Sequence, residues 1–279
     1  MAKRSNENTS NDVATKVLKI DVDKDQYTFH SGIALIINNI EFDPSLELPD
    51  RRGSDVDASS LFQRFQELGF KSDLVNDATK EEIERKFDEI KNDKKKLQET
   101  DCLIVALLTH GNEECIYATN KSMNIKSIMN HFNAENCKEL ILKPKIFIFQ
   151  AGRGSSICRG VNANVIRDQN QTDAAAESEE YDKLYGETIC IPNEADFLAV
   201  YSSSLGYGAY RNSKMGSPFI RYLSEVLIKM ERGDDFYRVI TRVNRNVGTR
   251  YKPSYPNINN SMQMPCFVSS LTKNLILRP

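Results

Sequence analysis

The chain of 279 residues contains no tryptophan, only 3 histidines and no long uninterrupted apolar segment. No stretch approaches the roughly 18 apolar residues that a membrane-spanning helix requires. No apolar stretch follows the basic start Met1–Arg4, so a secretion signal is not indicated either. The formal net charge of -2 offers no electrostatic case for binding nucleic acid or an anionic membrane. We therefore expect a cytoplasmic protein without a membrane or nucleic-acid partner.

The chain also lacks the paired cysteine spacing of a zinc site or of a disulfide scaffold. None of its six cysteines forms a C-x-x-C pair, and we interpret them as reduced, mostly buried thiols. A phosphate-binding glycine loop is absent as well. We predict neither a metal nor a cofactor. The cysteines are Cys102, Cys115, Cys137, Cys158, Cys190 and Cys266.

What is present is an alternation of strands and helices. The runs Cys102–Leu108 and Ile146–Phe149 are continuously apolar, as expected for strands buried on both faces of a parallel sheet. Apolar residues at helical spacing between Ile125 and Phe132 separate these two runs. This order predicts an α/β fold with helices covering both faces of the sheet.

The remaining elements follow from the same periodicities and from capping signals. Thr79 and Glu82 form the pattern of a capping box, and Gly69 suits a left-handed helix end. Helices are predicted at Val56–Leu68, after Thr79, at Phe219–Met230 and at Phe236–Val247. Strands are predicted at Gly32–Ile37, Ser72–Val75, Phe197–Tyr201 and Cys266–Val268.

Two polar segments divide the chain. Residues 1–26 have few large apolar side chains and cannot offset their own ordering entropy, so we predict a disordered leader. Residues 161–188 are polar and acidic, which is typical of a flexible or functional connecting segment. The ordered parts are therefore expected at 27–160 and 189–279.

Polar residues follow both buried strands at their carboxyl ends, where open α/β sheets form their sites. Thr109-His110-Gly111 follows the first strand and Gln150-Ala151-Gly152 the second, so His110 is expected to face position 152. His110 is a candidate general base, and Gly111 allows its backbone N–H to approach a reacting oxyanion. Such chemistry also needs a nucleophile within hydrogen-bond reach of the base.

No side chain supplies that nucleophile. Cys158 lies beyond the end of the second strand, and Ser155 and Ser156 are no better placed. His131 falls within a helical pattern and is interpreted as structural.

The segment Gln150-Ala151-Gly152-Arg153-Gly154 resembles the Gln-Ala-Cys-Arg-Gly motif of caspases, with glycine in place of the nucleophilic cysteine. Further blocks occur in caspase order from about Tyr27 to Leu277. The chain most resembles the short-prodomain executioner caspases, particularly those of insects. The blocks are Gly32–Asn39, Arg51–Asp57, Thr109–Gly111, Lys143–Lys145, Pro192–Leu198, Tyr210–Asn212, Val243–Arg245 and Gln263–Ser269.

The resemblance implies a three-layer sandwich around a six-stranded, mostly parallel sheet. It implies a short prodomain (1–26), a large subunit (27–160), a cleavable linker (161–188) and a small subunit (189–279). Asp173 is the expected cleavage site, because small residues in flexible sequence follow it. The resemblance also implies dimerisation along the last strand, at Cys266, Phe267, Val268 and Ser269.

The resemblance further implies that Arg51, Gln150 and Arg211 clasp the aspartate side chain of a substrate, beside His110, Gly111 and the vacated position 152. Two guanidinium forks and an amide around one carboxylate form charge-assisted, bidentate hydrogen bonds. We call these three residues the carboxylate clamp. Gly208 and Pro218 stand where active relatives carry aromatic residues, so the walls of the groove are reduced.

Three functional interpretations follow, and all regard the chain with Gly152 as catalytically inactive. The preferred one is a catalytically inactive caspase homologue that pairs with an active effector caspase, activates or inhibits it allosterically, and so tunes cell death. The second is an aspartate-directed protease inactivated by substitution at Gly152. The third is a binding module that captures aspartate-bearing proteins or inhibitor-of-apoptosis proteins. A homodimer is the other expected assembly.

Overall fold

The computed structural model describes residues 24–159, 191–252 and 261–278. Within these ranges the chain forms ten strands and six α-helices. The strands are β1 (Gly32–Asn38), β2 (Phe70–Asn76), β3 (Cys102–Leu108), β4 (Cys115–Tyr117), β5 (Ser122–Asn124), β6 (Lys145–Gln150), β7 (Cys158–Arg159), β8 (Phe197–Tyr201), β9 (Ser261–Met262) and β10 (Cys266–Ser269). The helices are α1 (Ser54–Glu67), α2 (Lys80–Asn92), α3 (Lys94–Gln98), α4 (Ile125–Asn130), α5 (Pro218–Ile228) and α6 (Phe236–Arg250).

Six strands form the central sheet in the order β10-β8-β6-β3-β1-β2. All neighbours are parallel except β10, which runs antiparallel to β8. The register pairs Asn38 with Leu108, and Leu108 with Gln150. The carboxyl ends of β1, β3 and β6 therefore finish side by side, as expected for a site at this edge of the sheet.

Helices cover both faces of this sheet and form two separate cores. Alternate residues of β3 point to opposite faces: Ile104 and Ala106 pack with α1, α5 and α6, whereas Leu103 and Val105 pack with α2, α3 and α4. Every residue of β3 is buried, which explains why its sequence is apolar without alternation. The predicted α/β fold, a six-stranded and mostly parallel sheet flanked by helices, is confirmed.

Local capping places the helices where the sequence predicted them. The Thr79 hydroxyl accepts a hydrogen bond from the Glu82 N–H, and the Glu82 carboxylate accepts one from the Thr79 N–H, which completes the capping box of α2. Gly69 has a φ of 88°, the left-handed conformation that lets the chain leave α1. Pro218 occupies the first turn of α5, where its missing N–H costs no hydrogen bond.

Two features differ from the sequence prediction. The hairpin of β4 and β5 was not predicted, because three-residue strands are too short to show a periodicity. The leader was expected to reach Gln26, yet Gln26 forms a bridge with Asn274, and the hydroxyl of the buried Tyr27 donates a 2.6 Å hydrogen bond to Asp196. This contact joins the start of the described chain to the amino end of β8.

The predicted linker and its cleavage site Asp173 lie outside the described residues.

Among the residues that are described, no helix has both the length and the apolar character needed to cross a bilayer.

Candidate active site

The predicted site residues come together at the carboxyl edge of the sheet, although they are far apart in sequence. Arg51 lies in the loop after β1, His110 follows β3, Gly152 follows β6 and Arg211 lies in the loop after β8. The Thr109 N–H donates to the Gln150 carbonyl oxygen at 3.1 Å, which holds the ends of β3 and β6 together. Parallel pairing of these strands is therefore what brings the segments of His110 and Gly152 side by side.

His110 is held in one orientation by its neighbours. Its ring Nε2 lies 2.7 Å from the carbonyl oxygen of Pro49, and its ring centroid is 5.0 Å from that of Phe42. Because a carbonyl oxygen only accepts hydrogen bonds, Nε2 carries the hydrogen in this arrangement and Nδ1 is the basic nitrogen. Burial lowers the pKa of His110, and the positive charges of Arg51 and Arg211 lower it further, against the opposing effect of the Pro49 hydrogen bond.

Gly111 and Gly152 lie close to each other, but they differ in the space available for a side chain. A Cβ on Gly111 would lie 3.0 Å from the Ala151 Cβ and from the carbonyl oxygens of Cys115 and Gly152. A Cβ on Gly152 would have nothing closer than the Ala209 nitrogen, at 3.8 Å. The φ of Gly152 is also outside the left-handed region. The backbone at position 152 therefore accommodates a side chain.

Arg51 is the buried arm of the carboxylate clamp. It is 2% exposed, and its guanidinium donates to the Asn39 carbonyl oxygen at 2.9 Å and to the Ser54 hydroxyl at 2.8 Å. A weaker contact of 3.5 Å reaches the backbone oxygen of Gln150. Burial lowers the pKa of Arg51 to about 9, and the charge of Arg211 contributes. Burial makes the charged form of Arg51 costly, and an anion bound beside it would offset that cost.

The amide of Gln150 is the second element of the clamp. Its Oε1 is buried and has no hydrogen-bond partner in the described part of the chain. A buried polar atom without a partner costs about 1–3 kcal/mol, and a bound ligand or water that donates to it recovers that cost. Arg51, after β1, and Gln150, at the end of β6, thus place a cation and an unpartnered amide oxygen at the same edge of the sheet.

Arg211 completes the clamp from the other half of the chain, and Asp57 balances its charge. The Arg211 guanidinium donates to the carbonyl oxygen of Arg52. Asp57 is buried, and its carboxylate accepts two hydrogen bonds from the Ser217 N–H at 2.8 and 3.0 Å. Burial raises the pKa of Asp57 to about 6, opposed by Ser217 and by the charges of both clamp arginines. Asp57 was not singled out from the sequence, because its position next to both arginines arises only on folding.

Among the described cysteines, Cys102 and Cys137 are poorly suited to replace the missing thiol. Burial raises the pKa of Cys102 and of Cys137, which disfavours their thiolates. Cys115 begins the β4–β5 hairpin, and Cys158 lies beyond the end of β6, where it pairs with Met262 in the β7–β9 ladder. In the described ranges, no three side chains of His, Cys, Asp or Glu are grouped to hold a metal ion.

Gly208, Pro218 and Val268, which were expected at the groove walls and at a dimer interface, differ in their surroundings. Gly208 has open space on its side-chain face, with only the Gly154 oxygen at 3.8 Å. Pro218 is buried in the first turn of α5. In the described part of the chain β10 pairs with β8 alone, so its second edge is open to a partner strand, and Val268 on it is 65% exposed.

Arg153 directly follows Gly152, and its side chain reaches toward the strand with the open edge. Its guanidinium lies 3.9 Å from the centroid of the Tyr201 ring, and its Nη1 contacts the Cys266 sulfur at 3.5 Å. Tyr201 ends β8 and Cys266 begins β10. Arg153 therefore contacts the end of β8 and the start of β10, one residue after Gly152.

Comparison with known proteins gives one consistent result. The family model for the caspase domain matches residues 31–276. Caspase-3 of Felis catus is 36% identical over 248 residues, which are 88% of this chain and 83% of that protein. Caspase-3 of Mus musculus is 37% identical over 249 residues, with the same coverage of both chains.

The architecture agrees with that result. The crystal structure of caspase-1 from Spodoptera frugiperda superimposes with a TM-score of 0.80 at 28% sequence identity, over 93% of this chain and 97% of that one. A domain-wide match, relatives above one-third identity and a shared fold lead to one conclusion: the chain belongs to the caspase family.

Proposed function

We propose that this protein is a catalytically inactive caspase homologue that regulates an active effector caspase by pairing with it. The observation that carries the proposal is Gly152. It follows β6, beside Gly111 and the base His110, and contributes no side chain. A Cβ at this position meets nothing closer than 3.8 Å, so the glycine is not explained by a clash at the Cβ.

The chemistry supports a loss of proteolysis. Thiol proteases need a nucleophile that the histidine can deprotonate. Loss of the nucleophile from a serine protease costs about 10⁶ in turnover, which corresponds to roughly 8 kcal/mol of barrier. A neutral His110 and the Gly111 N–H do not supply that amount. The reduced groove walls at Gly208 and Pro218 favour long-standing loss of activity over a change confined to position 152.

The open edge of β10 is the proposed contact for the partner. Strand addition satisfies backbone N–H and C=O groups that otherwise face water. Val268 on this edge adds apolar area, and Arg153 links the edge to the residues after Gly152. Pairing would thus couple the interface to the active-site loops. Allosteric regulation requires contacts with the partner that differ between two arrangements of these loops. Cleavage after Asp173, between the large (27–160) and small (189–279) subunits, is proposed to free the loop ends for this pairing.

A titration tests this function. Increasing amounts of the protein are added to its active caspase relative, and the relative's rate on an aspartate-containing peptide is followed. We expect the rate to change and to saturate near one equivalent, with a complex visible by sedimentation. Val268→Asp should abolish both effects, because it places a charge on the open edge. Val56→Asp is the matched control, since Val56 is also an exposed apolar residue but lies on α1. Absence of both a complex and a rate change contradicts the proposal.

A second candidate function is capture of aspartate-bearing polypeptides, including inhibitor-of-apoptosis proteins. It is favoured by the buried Arg51, a cation that can pair with a carboxylate, and by Gln150, whose Nε2 can donate to the same carboxylate while its unpartnered Oε1 accepts from a ligand N–H. The same clamp without a nucleophile would bind such a peptide and not cut it. Binding of an aspartate peptide, and its loss when asparagine replaces the aspartate, tests this candidate.

A further inference from the structure

Helix α6 carries four arginines outside the face that is buried against the sheet and α5. Because residues three and four apart share a face of a helix, Arg238, Arg242 and Arg245 lie on one face. Arg250 follows five residues later, about 120° around the axis from Arg238, and the four arginines span about 18 Å along the axis. We call these four arginines the α6 basic face. Its members are Arg238, Arg242, Arg245 and Arg250.

Three surface cavities join along this face and share its arginines. One of about 520 Å³ is lined by Arg238, Arg242 and Arg245, and one of about 370 Å³ by Arg242, Arg245, Arg250 and Lys229. A third, of about 340 Å³, is lined by Arg250 together with Arg211, Arg221 and Lys252. Glu231 is the one acidic residue among those lining the three cavities. The shared side chains place the three cavities next to one another, each with a cationic lining.

Most of this charge is not neutralised within the molecule. In the described ranges, Arg238, Arg245 and Arg250 form no ion pair within 4.0 Å, whereas Arg242 is fixed by two hydrogen bonds to Asp234 at 2.6 and 3.3 Å. The Nε of Arg221 is buried without a hydrogen-bond partner in the same ranges. Such concentration of positive charge is notable in a chain whose formal net charge is -2. It indicates a polyanionic partner.

We propose that the α6 basic face binds an acidic stretch of the polypeptide whose aspartate occupies the carboxylate clamp. Continuity with the clamp identifies the partner as a polypeptide, because Arg211 belongs both to the clamp and to the third cavity. The axial span of about 18 Å from Arg238 to Arg250 matches about five or six residues of extended chain. The proposal rests on the second candidate function, binding of aspartate-bearing polypeptides.

Fluorescence anisotropy with synthetic peptides tests it. The probe peptide carries one aspartate and, on its amino-terminal side, a run of glutamates; a matched peptide carries glutamines instead. The Glu peptide should bind at least about tenfold more tightly at low salt. The triple variant Arg238→Gln, Arg245→Gln, Arg250→Gln should remove about that factor, since each exposed ion pair contributes roughly two- to threefold. Affinity should also fall as salt is raised.

A second triple variant controls for net charge. Lys71→Gln, Lys95→Gln and Lys138→Gln removes three exposed cations located on β2, on α3 and near β6. It should leave the affinity within about twofold, because it does not touch the α6 basic face. An equal loss in both triples, or equal binding of the Glu and Gln peptides, overturns the proposal. Tighter binding of an oligothymidine than of the Glu peptide overturns the assignment to a polypeptide.

A third peptide separates this proposal from the clamp. In it, asparagine replaces the aspartate while the glutamate run is kept. If the clamp does not bind aspartate, this peptide binds as well as the Glu peptide, yet the α6 triple variant still weakens it. If the α6 basic face is not a site, the triple variant has no effect, although replacing the aspartate still weakens binding.

Discussion

The carbonyl oxygen of Gly152 lies 3.0 Å from the point that a Cβ on Gly111 would occupy. The two glycines therefore differ in their surroundings. Gly111 is packed against its neighbours, whereas Gly152 has free space beside it. Gly111→Ala should destabilise the protein by about 1–3 kcal/mol, because a methyl group would press on two backbone oxygens. Gly152→Ala should be neutral or slightly stabilising. Urea unfolding of the two variants checks this difference, and equal destabilisation would contradict it.

Gly152→Cys should fold like the wild type, because the Cβ has 3.8 Å of clearance. We expect its thiol to react with iodoacetamide but its hydrolysis of aspartate peptides to stay at least 100-fold below that of an active relative. The physical reason is the reduced groove at Gly208 and Pro218, which leaves a peptide poorly positioned even with a nucleophile. Gly152→Ala is the control for background hydrolysis. Full activity of the cysteine variant would instead show a protease disabled at a single position.

Asp57 should make stability depend on pH. Its pKa is raised from 3.8 to about 6 by burial, so the folded state holds this proton more tightly than the unfolded chain. The stabilisation is complete below about pH 3.8 and is lost as pH rises through about 6, a difference of about 3 kcal/mol. Asp57→Asn should flatten this part of the profile. Thermal unfolding from pH 4 to 8 measures it, and parallel curves for both proteins would contradict the assignment.

His110 should remain neutral at neutral pH. Its pKa is lowered mainly by burial, and a lowered histidine pKa stabilises the folded state above about 6.5 and destabilises it as the pH falls through the folded value. NMR of the imidazole nitrogens should show hydrogen on Nε2, which faces the Pro49 carbonyl oxygen, and a titration midpoint below 6.5. Hydrogen on Nδ1, or a midpoint above 6.5, would be inconsistent with this geometry.

Much of the fold was predictable because its signals are local. The capping box of Thr79 and Glu82, the left-handed Gly69 and the apolar run of β3 each report their own conformation. The positions of His110 and Gly152 at neighbouring strand ends follow from the same parallel sheet.

Other features depend on contacts between distant parts of the chain. Asp57 meets the Ser217 N–H across 160 residues, and Tyr27 meets Asp196 across 169. No local pattern encodes either contact, since each requires the completed sheet and its helices. The α6 basic face lies between these two cases. Its spacing is visible in the sequence, but its continuity with Arg211 arises from the packing of α6 beside α5.

The central claim is that the chain has no nucleophile to attack a peptide. The most direct measurement is hydrolysis of a fluorogenic aspartate peptide by the purified wild-type protein, with and without iodoacetamide. We predict a rate equal to that of buffer, unchanged by alkylation. Turnover well above buffer that iodoacetamide abolishes would contradict the account, because it would require a catalytic thiol elsewhere in the chain.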